Sequence, residues 1–306
     1  MIRLSDEQWE RIRDHFPEEH IADGHPGRKP IPTRRVLEAV LWILNTGAQW
    51  HMLPQSYPNY KTVHRRFQTW CSNEVLRRVL TDVANELRDK GVLDEEESFI
   101  DATFAMAKGG GAEIGPTKRG KGMKIMAIVD RHGLPLSVST HAANHHEVRL
   151  VQLCFDFYMI EAKPETLIGD RAYDSDPLDD DLRKDGIEMV APHRSNRRTC
   201  ATQDGRRLRR YARLVERFFA WIQWQRRILV RWEFYPNNFL GFGVLQRHRE
   251  RRTTRDRTVS QSCAKDEGRP LEIGLQEQVS NHFKLLRRSA VVVSIGAKAQ
   301  GKTLGR

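Results

Sequence analysis

Ser98-Phe99-Ile100-Asp101-Ala102-Thr103 constrains this chain more than any other stretch, because an apolar run there carries a single carboxylate to its end. Short β-branched and aromatic runs predict a buried strand, and an unpaired carboxylate is costly inside one. Asp101 therefore needs partners. Thr166-Leu167-Ile168-Gly169-Asp170 also closes an apolar run on an acid, and Glu216 lies in a strongly helical stretch from about Tyr211 to Arg227. Three acids on three separate elements have the chemistry to meet around metal ions.

Each acid also has a local reading. Asp101 can cap the loop that follows it, Asp170 can pair with Arg171, and Glu216 can join surface ion pairs with Arg209, Arg210, Arg213 or Arg217. The apolar neighbours Leu214, Val215, Phe218 and Phe219 imply that part of the last helix is buried. Carboxylates are the donors magnesium prefers, so three suffice where zinc would call for His and Cys. Two such ions about 3.5 to 4 Å apart clamp the attacking and leaving oxygens of a phosphodiester. Asp101 is the candidate bridge, with Asp170 and Glu216 on either side.

The front of the chain predicts four helices. Ser5 and Gln8 form a capping-box pattern ahead of Trp9, Ile12 and Phe16, and Thr33 is positioned to cap a helix striped by Val36, Leu37, Val40, Leu41 and Leu44. Asn59 starts a third helix, with Tyr60, Val63, Phe67 and Trp70 on one face and Lys61, His64 and Arg65 on others. That helix is similar to the recognition helix of a helix-turn-helix unit, and a solvated basic face is the alternative. A fourth helix ends near Lys90-Gly91.

From Ser98 the pattern changes to strands and helices. Strands are predicted at 98–103, 124–130 and 134–139, then a helix from about His145 to Tyr158, a strand at 166–169, a helix at 177–184, a strand at 188–192 and the helix carrying Glu216. This is the element order of a ribonuclease-H-like domain, a mixed α/β sheet with helices on both faces. The basic loop holding Lys118, Arg119 and Lys121 either follows DNA phosphates or is solvated. Its Gly115 to Lys121 begins like a phosphate-binding P-loop, but Gly122 replaces the required Ser or Thr and a strand follows. Asn144 and His145 are expected to cap the helix they precede. Asp130, Asp174 and Asp176 are spare acids near strand ends.

Charge and cysteine usage narrow the class. The 51 Lys and Arg against 40 Asp and Glu give +11, which suits a polyanionic partner. Residues 243–306 hold 14 basic and 6 acidic residues, so most of that excess lies in the tail. Cys71, Cys154, Cys200 and Cys263 form no Cys-x-x-Cys pair, which argues against a zinc site or a disulfide framework and fits a reducing cytoplasm. The first residues lack the features of a signal peptide, and no apolar run reaches the length of a membrane span.

Phe99-Ile100-Asp101-Ala102-Thr103, Leu167 to Asp174, and Val215-Glu216-Arg217-Phe218-Phe219-Ala220-Trp221 followed by Arg226-Arg227 together resemble the DDE transposases of bacterial insertion sequences, in the branch named for insertion sequence five. Gly27-Arg28-Lys29-Pro30, Trp42 to Gly47 and Trp50 to Pro54 are similar to that branch's N-terminal region. The resemblance spans about residues 4–242. It implies a helical, helix-turn-helix-like DNA-binding domain over 1–93 and a ribonuclease-H-like catalytic domain over 94–242. Asp101, Asp170 and Glu216 would hold two Mg2+ or Mn2+ ions. The implied partners are double-stranded DNA, as terminal inverted repeats and target, and a second copy of the chain in a synaptic complex. Lys61, His64, Arg65, Lys118, Arg119, Lys121, Arg171, Arg209, Arg210 and Arg213 are the candidate DNA contacts.

The chain departs from the family pattern twice. A tyrosine and an arginine usually precede the glutamate by seven and four positions, whereas Tyr211 and Arg213 precede Glu216 by five and three. The rival reading is therefore a degenerate transposase that binds ends and represses. Beyond Phe242 the expected apolar helix gives way to Arg247-His248-Arg249-Glu250-Arg251-Arg252, so a disordered tail over 243–306 is expected. Either a reading-frame shift near Gly243 or a basic DNA-gripping extension accounts for it, and translating the other two frames distinguishes them.

Overall fold

The computed structural model describes residues 2–21, 29–94, 96–195, 197, 208, 214, 218–220 and 222–245. Glu216, Arg209, Arg210, Arg213 and the tail from 246 lie outside the described residues. No helix among the described residues is long and apolar enough to cross a membrane.

The front folds as the periodicity predicts. Helix α1 (Asp6–Ile12) opens on the capping box, Gln8 N–H donating to Ser5 Oγ at 3.1 Å and Ser5 N–H to Gln8 Oε1 at 3.0 Å. Helix α2 (Thr33–Thr46) buries Val36, Leu37, Val40, Leu41 and Leu44. Its stop is Gly47, whose φ of +71° favours glycine, and a Cβ there would lie 2.8 Å from Arg226 Cβ. Thr33 does not cap this helix. It is the first helical residue, and its hydroxyl instead accepts from Arg66 at 2.8 Å. Asn59 caps α3 (Tyr60–Ser72) by accepting from Lys61 N–H, and α4 (Val75–Asp89) follows after a short turn.

Among the described residues, seven strands make one mixed sheet: β1 (Glu97–Ala107), β2 (Gly115–Thr117), β3 (Gly120–Asp130), β4 (Pro135–Ala142), β5 (Thr166–Ile168), β6 (Glu188–Val190) and β7 (Val230–Arg231). β1, β3 and β4 form an antiparallel meander, while β5 and β6 run parallel to β1 on its other side. The spatial order β4-β3-β1-β5-β6 with those directions is ribonuclease-H-like. The sequence order of helices and strands required a crossover before each parallel strand, and those crossovers hold α5 (Val151–Phe155) and α6 (Asp176–Lys184).

Two helices are shorter than expected. The stretch from His145 becomes a 3-10 turn at Glu147–Leu150 followed by α5, because Tyr158 bridges to Ser137 and Met159 N–H donates to Leu136 O, which pulls the chain back along β4. His146 stands at the N-cap and makes no side-chain capping bond, so the expected caps Asn144 and His145 do not act as such. Near its end, the helix expected to reach Arg227 breaks at Trp224-Gln225 and restarts as a single turn, Arg226–Leu229. That break carries Arg227 into a buried ion pair with Glu233 at 2.6 Å and a bond to Ala48 O at 3.1 Å. Helix α7 (Pro236–Val244) then packs on α3, α4 and β4, with Phe242 against Phe67 at 4.5 Å between ring centroids.

Candidate active site

β1 runs through the middle of the sheet, so alternate residues along it face opposite sides. Asp101 sits opposite Ala127 of β3 and is half-buried, and its carboxylate accepts from Ala102 N–H at 2.7 Å. On the other edge, β1 and β5 are paired in parallel up to Phe99 with Ile168. Two residues further along each chain stand Asp101 and Asp170. Asp101 continues within β1, whereas Asp170 stands just beyond the end of β5, so the two acids follow the last pair of neighbouring strands about 4.8 Å apart.

Gly169 makes this turn of the chain possible. A Cβ there would lie 2.7 Å from the Tyr173 ring and 2.8 Å from Met189 Cε. β5 ends just before it, and Asp170, in extended backbone, caps the turn Arg171–Tyr173 by accepting from Ala172 N–H at 2.8 Å. Asp170 is thus held by its own turn rather than by the exposed Arg171 beside it. The third expected acid, Glu216, lies outside the described residues, although its described helical neighbours Leu214, Phe218, Phe219 and Ile222 are buried. Among the described residues no three His, Cys, Asp or Glu converge to hold a metal. Carboxylates such as Asp101 and Asp170 are hard oxygen donors, the kind that fit magnesium or manganese.

The spare acids have other work. Asp130 is opposite Ser98, three residues before Asp101 on β1, and it accepts from His132, Leu134 and Asp94 N–H groups to hold the β3–β4 turn. Burial raises its pKa to about 7 against those bonds. Asp174 pairs with Arg197 and His193 and accepts from Arg194 N–H at 2.7 Å. Burial opposes its charge, but those three partners outweigh burial and hold its pKa low. Asp176 pairs with the same Arg197.

The basic candidates divide by exposure. Lys61 and Arg65 point outward from α3, whereas His64 is half-buried with its ring 4.6 Å from Trp50, its pKa lowered by burial and by Arg227. Lys118, Arg119 and Lys121 are exposed on the β2–β3 hairpin, where Thr117 Oγ1 donates to Gly120 O at 2.8 Å. Lys118 and Arg119 line a cavity of about 370 Å3 with Lys124 and residues 102–104 of β1.

Sequence reasoning missed β7 and what surrounds it. Arg231 is fully buried and donates to Ala112 O, Glu233 O and Phe234 O, while Trp232, Phe234 and Tyr235 are exposed. The alternation of charged with aromatic residues from 231 to 234 was the available signal, because it places two charges inward and two rings outward.

Comparison with known families covers most of the described chain. A model of transposases of the IS4/5 family (DUF4096) matches residues 4–80, and a transposase DDE domain model matches residues 93–245. An uncharacterized protein, y4sN, of Sinorhizobium fredii is 35% identical over 106 residues, which is 34% of this chain and 76% of that protein. An uncharacterized 16.2 kDa protein of insertion element IS402 from Burkholderia cepacia is 28% identical over 117 residues, 37% of this chain and 80% of that protein. Among solved structures, a piggyBac transposase synaptic complex with hairpin DNA matches with a TM-score of 0.35 and 13% identity, covering 65% of this chain and 50% of that one. The catalytic core domain of BIV integrase matches with a TM-score of 0.30 and 12% identity, over 62% of this chain and 99% of that one. These structural likenesses are distant, and the assignment rests on the family models.

Proposed function

The chain belongs to the DDE transposases of insertion sequences, and from that premise we propose that it cuts DNA at the ends of its element and joins the freed ends to target DNA. The observation that supports this reading is the parallel register of β1 with β5, whose last pair, Phe99 with Ile168, is followed two residues on by Asp101 and Asp170. With Glu216 they would hold two Mg2+ or Mn2+ ions. When bound, the ions supply Lewis-acid stabilisation of the attacking and leaving oxygens.

The chain's own residues do the rest. Asp101, on the central strand, would be one of the residues that hold the ions, and the Ala172 N–H fixes one oxygen of Asp170 so that its carboxylate is oriented before DNA arrives. Arg171, exposed beside Asp170, and the hairpin residues Lys118, Arg119 and Lys121 offset phosphate charge along the strand. Lys61 and Arg65 extend from α3 toward the double-stranded end sequence. Strand cleavage and the later attack of the 3′ hydroxyl on target DNA are both in-line displacements at phosphorus, so one site serves both. The enzyme would act in the cytoplasm, as a homodimer holding two ends.

The test is nicking of a supercoiled plasmid bearing the element's ends, with magnesium or manganese. Asp101→Asn, Asp170→Asn and Glu216→Gln should each abolish nicking while DNA retention stays nearly intact, because the amide keeps shape and loses the charge. Double variants should be no worse than singles, since the acids act as a unit. A wild-type chain that retains ends yet never nicks them would instead be the degenerate, repressor-like copy.

A further inference from the structure

Beyond the acids, the same edge of β1 carries a second feature. β5 pairs with residues 97–99 of that edge and β7 with residues 106 and 107, so among the described residues the edge between them has no strand partner. Asp101 stands near one end of this gap. At the other end the chain leaves β7 as Trp232-Glu233-Phe234-Tyr235, and Trp232, Phe234 and Tyr235 are 52%, 59% and 58% exposed.

Large aromatic surface in water is unfavourable, yet this segment is anchored from beneath. Arg231, wholly buried, donates to the carbonyls of Glu233 at 2.8 Å and Phe234 at 2.7 Å and to Ala112 O at 2.8 Å. Glu233 accepts from Trp232 N–H at 3.2 Å and pairs with buried Arg227. Gly109 and Gly111 pass directly below, where added Cβ atoms would meet Trp232 O at 2.3 Å and Phe234 O at 2.0 Å. Two buried guanidiniums, a buried carboxylate and two side-chain-free contacts thus fix the backbone with its rings turned outward. Collapse onto the core would have been the ordinary outcome for such rings.

We infer that Trp232 and Phe234 form a stacking ledge for unpaired bases of the DNA strand that passes Asp101. Charge favours nucleic acid over a protein partner. Exposed Lys108 is joined to the ledge through its N–H to Arg231 O at 2.9 Å, and since Arg227 and Glu233 neutralise each other as a buried pair, Lys108 and Arg231 stand against Glu113 alone. Position agrees, because Arg231 pairs with Ala107, so Trp232 is level with a point about seven residues beyond Asp101, roughly 23 Å along the strand. At the 3.4 Å rise of a duplex strand this is about seven base steps from the cleaved phosphate. The inference rests on the cleavage reading for the path of the DNA.

The test uses the full chain without divalent metal and does not require the element's end sequence. Binding of a labelled oligothymidylate strand, a forked duplex with oligothymidylate arms and a fully paired duplex is followed by fluorescence anisotropy. W232A/F234A should lose about tenfold or more for the strand and the fork and little for the paired duplex, since stacking needs exposed base faces. W232F/F234Y, which keeps the rings, should bind like the wild type. Equal binding of all three probes by wild type and W232A/F234A overturns the ledge. So does a W232A/F234A chain that loses self-association in light scattering but keeps strand affinity, which would make the surface an interface between copies. Absence of nicking alongside ring-dependent strand binding would count against the cleavage reading and leave the ledge standing.

Discussion

Asp130 is the residue at which burial bears most directly on stability. Its carboxyl is fully buried, with Asp94 as the nearest acid and Arg131 paired to Asp94, and its pKa is raised from 3.8 to about 7. Between those values the native state holds a proton that the unfolded chain has released. Stability from this group is therefore fully present below about pH 4 and is lost as pH rises toward 7, by up to about 1.4 kcal/mol per pH unit. Asp130→Asn removes the titration but also turns an amide toward Asp94 N–H, so a constant cost accompanies the change. The difference in unfolding free energy between Asp130→Asn and wild type should thus shift in favour of the variant from pH 5 to pH 8. Parallel curves in urea titrations would mean that Asp130 is ionised throughout. At this scale the strands that carry Asp101 and lead to Asp170 were legible because each acid ends an apolar run, which is a one-dimensional signal. The buried roles of Arg227, Arg231 and Glu233 were not, since a charged residue reads as exposed until its partner, distant in sequence or in direction, is known.

Element α3 illustrates how far a helical face can be read in advance. Its buried stripe of Val63, Phe67 and Trp70 was set by spacing, and Lys61 and Arg65 do face outward. His64 turned inward because Trp50, in a separate 3-10 turn ahead of the helix, supplies a ring to stack on. If α3 binds phosphates, K61A/R65A should weaken binding to end-bearing duplex and flatten the plot of log affinity against log salt by about 1.8, at roughly 0.9 for each phosphate no longer neutralised. Anisotropy between 50 and 200 mM salt measures this. An unchanged slope would return α3 to a solvated face. Strands were legible where apolar runs were long, as in β1 and β3, and missed in β7, whose two residues leave only the charged and aromatic alternation that follows them as a signal. The truncation of α5 had the same cause, because pairing with β4 overrode a weak helical period.

Across the whole molecule, helix α7 is the piece that ties the helical front to the sheet, touching α3, α4 and β4 at once. Gly241 lies at its closest approach. A Cβ there would stand 2.4 Å from the Sγ of Cys71, with Phe67 and Leu76 behind it at 3.4 and 3.5 Å. Two effects oppose each other in Gly241→Ala. Helix propensity favours alanine by up to about 1 kcal/mol. Overpacking against a short, buried cysteine costs about 1 to 3 kcal/mol, so the clash wins and the variant is destabilised. Cys71→Ala should relieve the clash, and the double variant should recover most of the loss, giving a coupling that independent sites lack. Calorimetry adds the decisive detail. Because α7 is shared, Gly241→Ala should lower one cooperative transition that includes both the front helices and the sheet, whereas two transitions, with only the front shifted, would show that the helical region melts on its own.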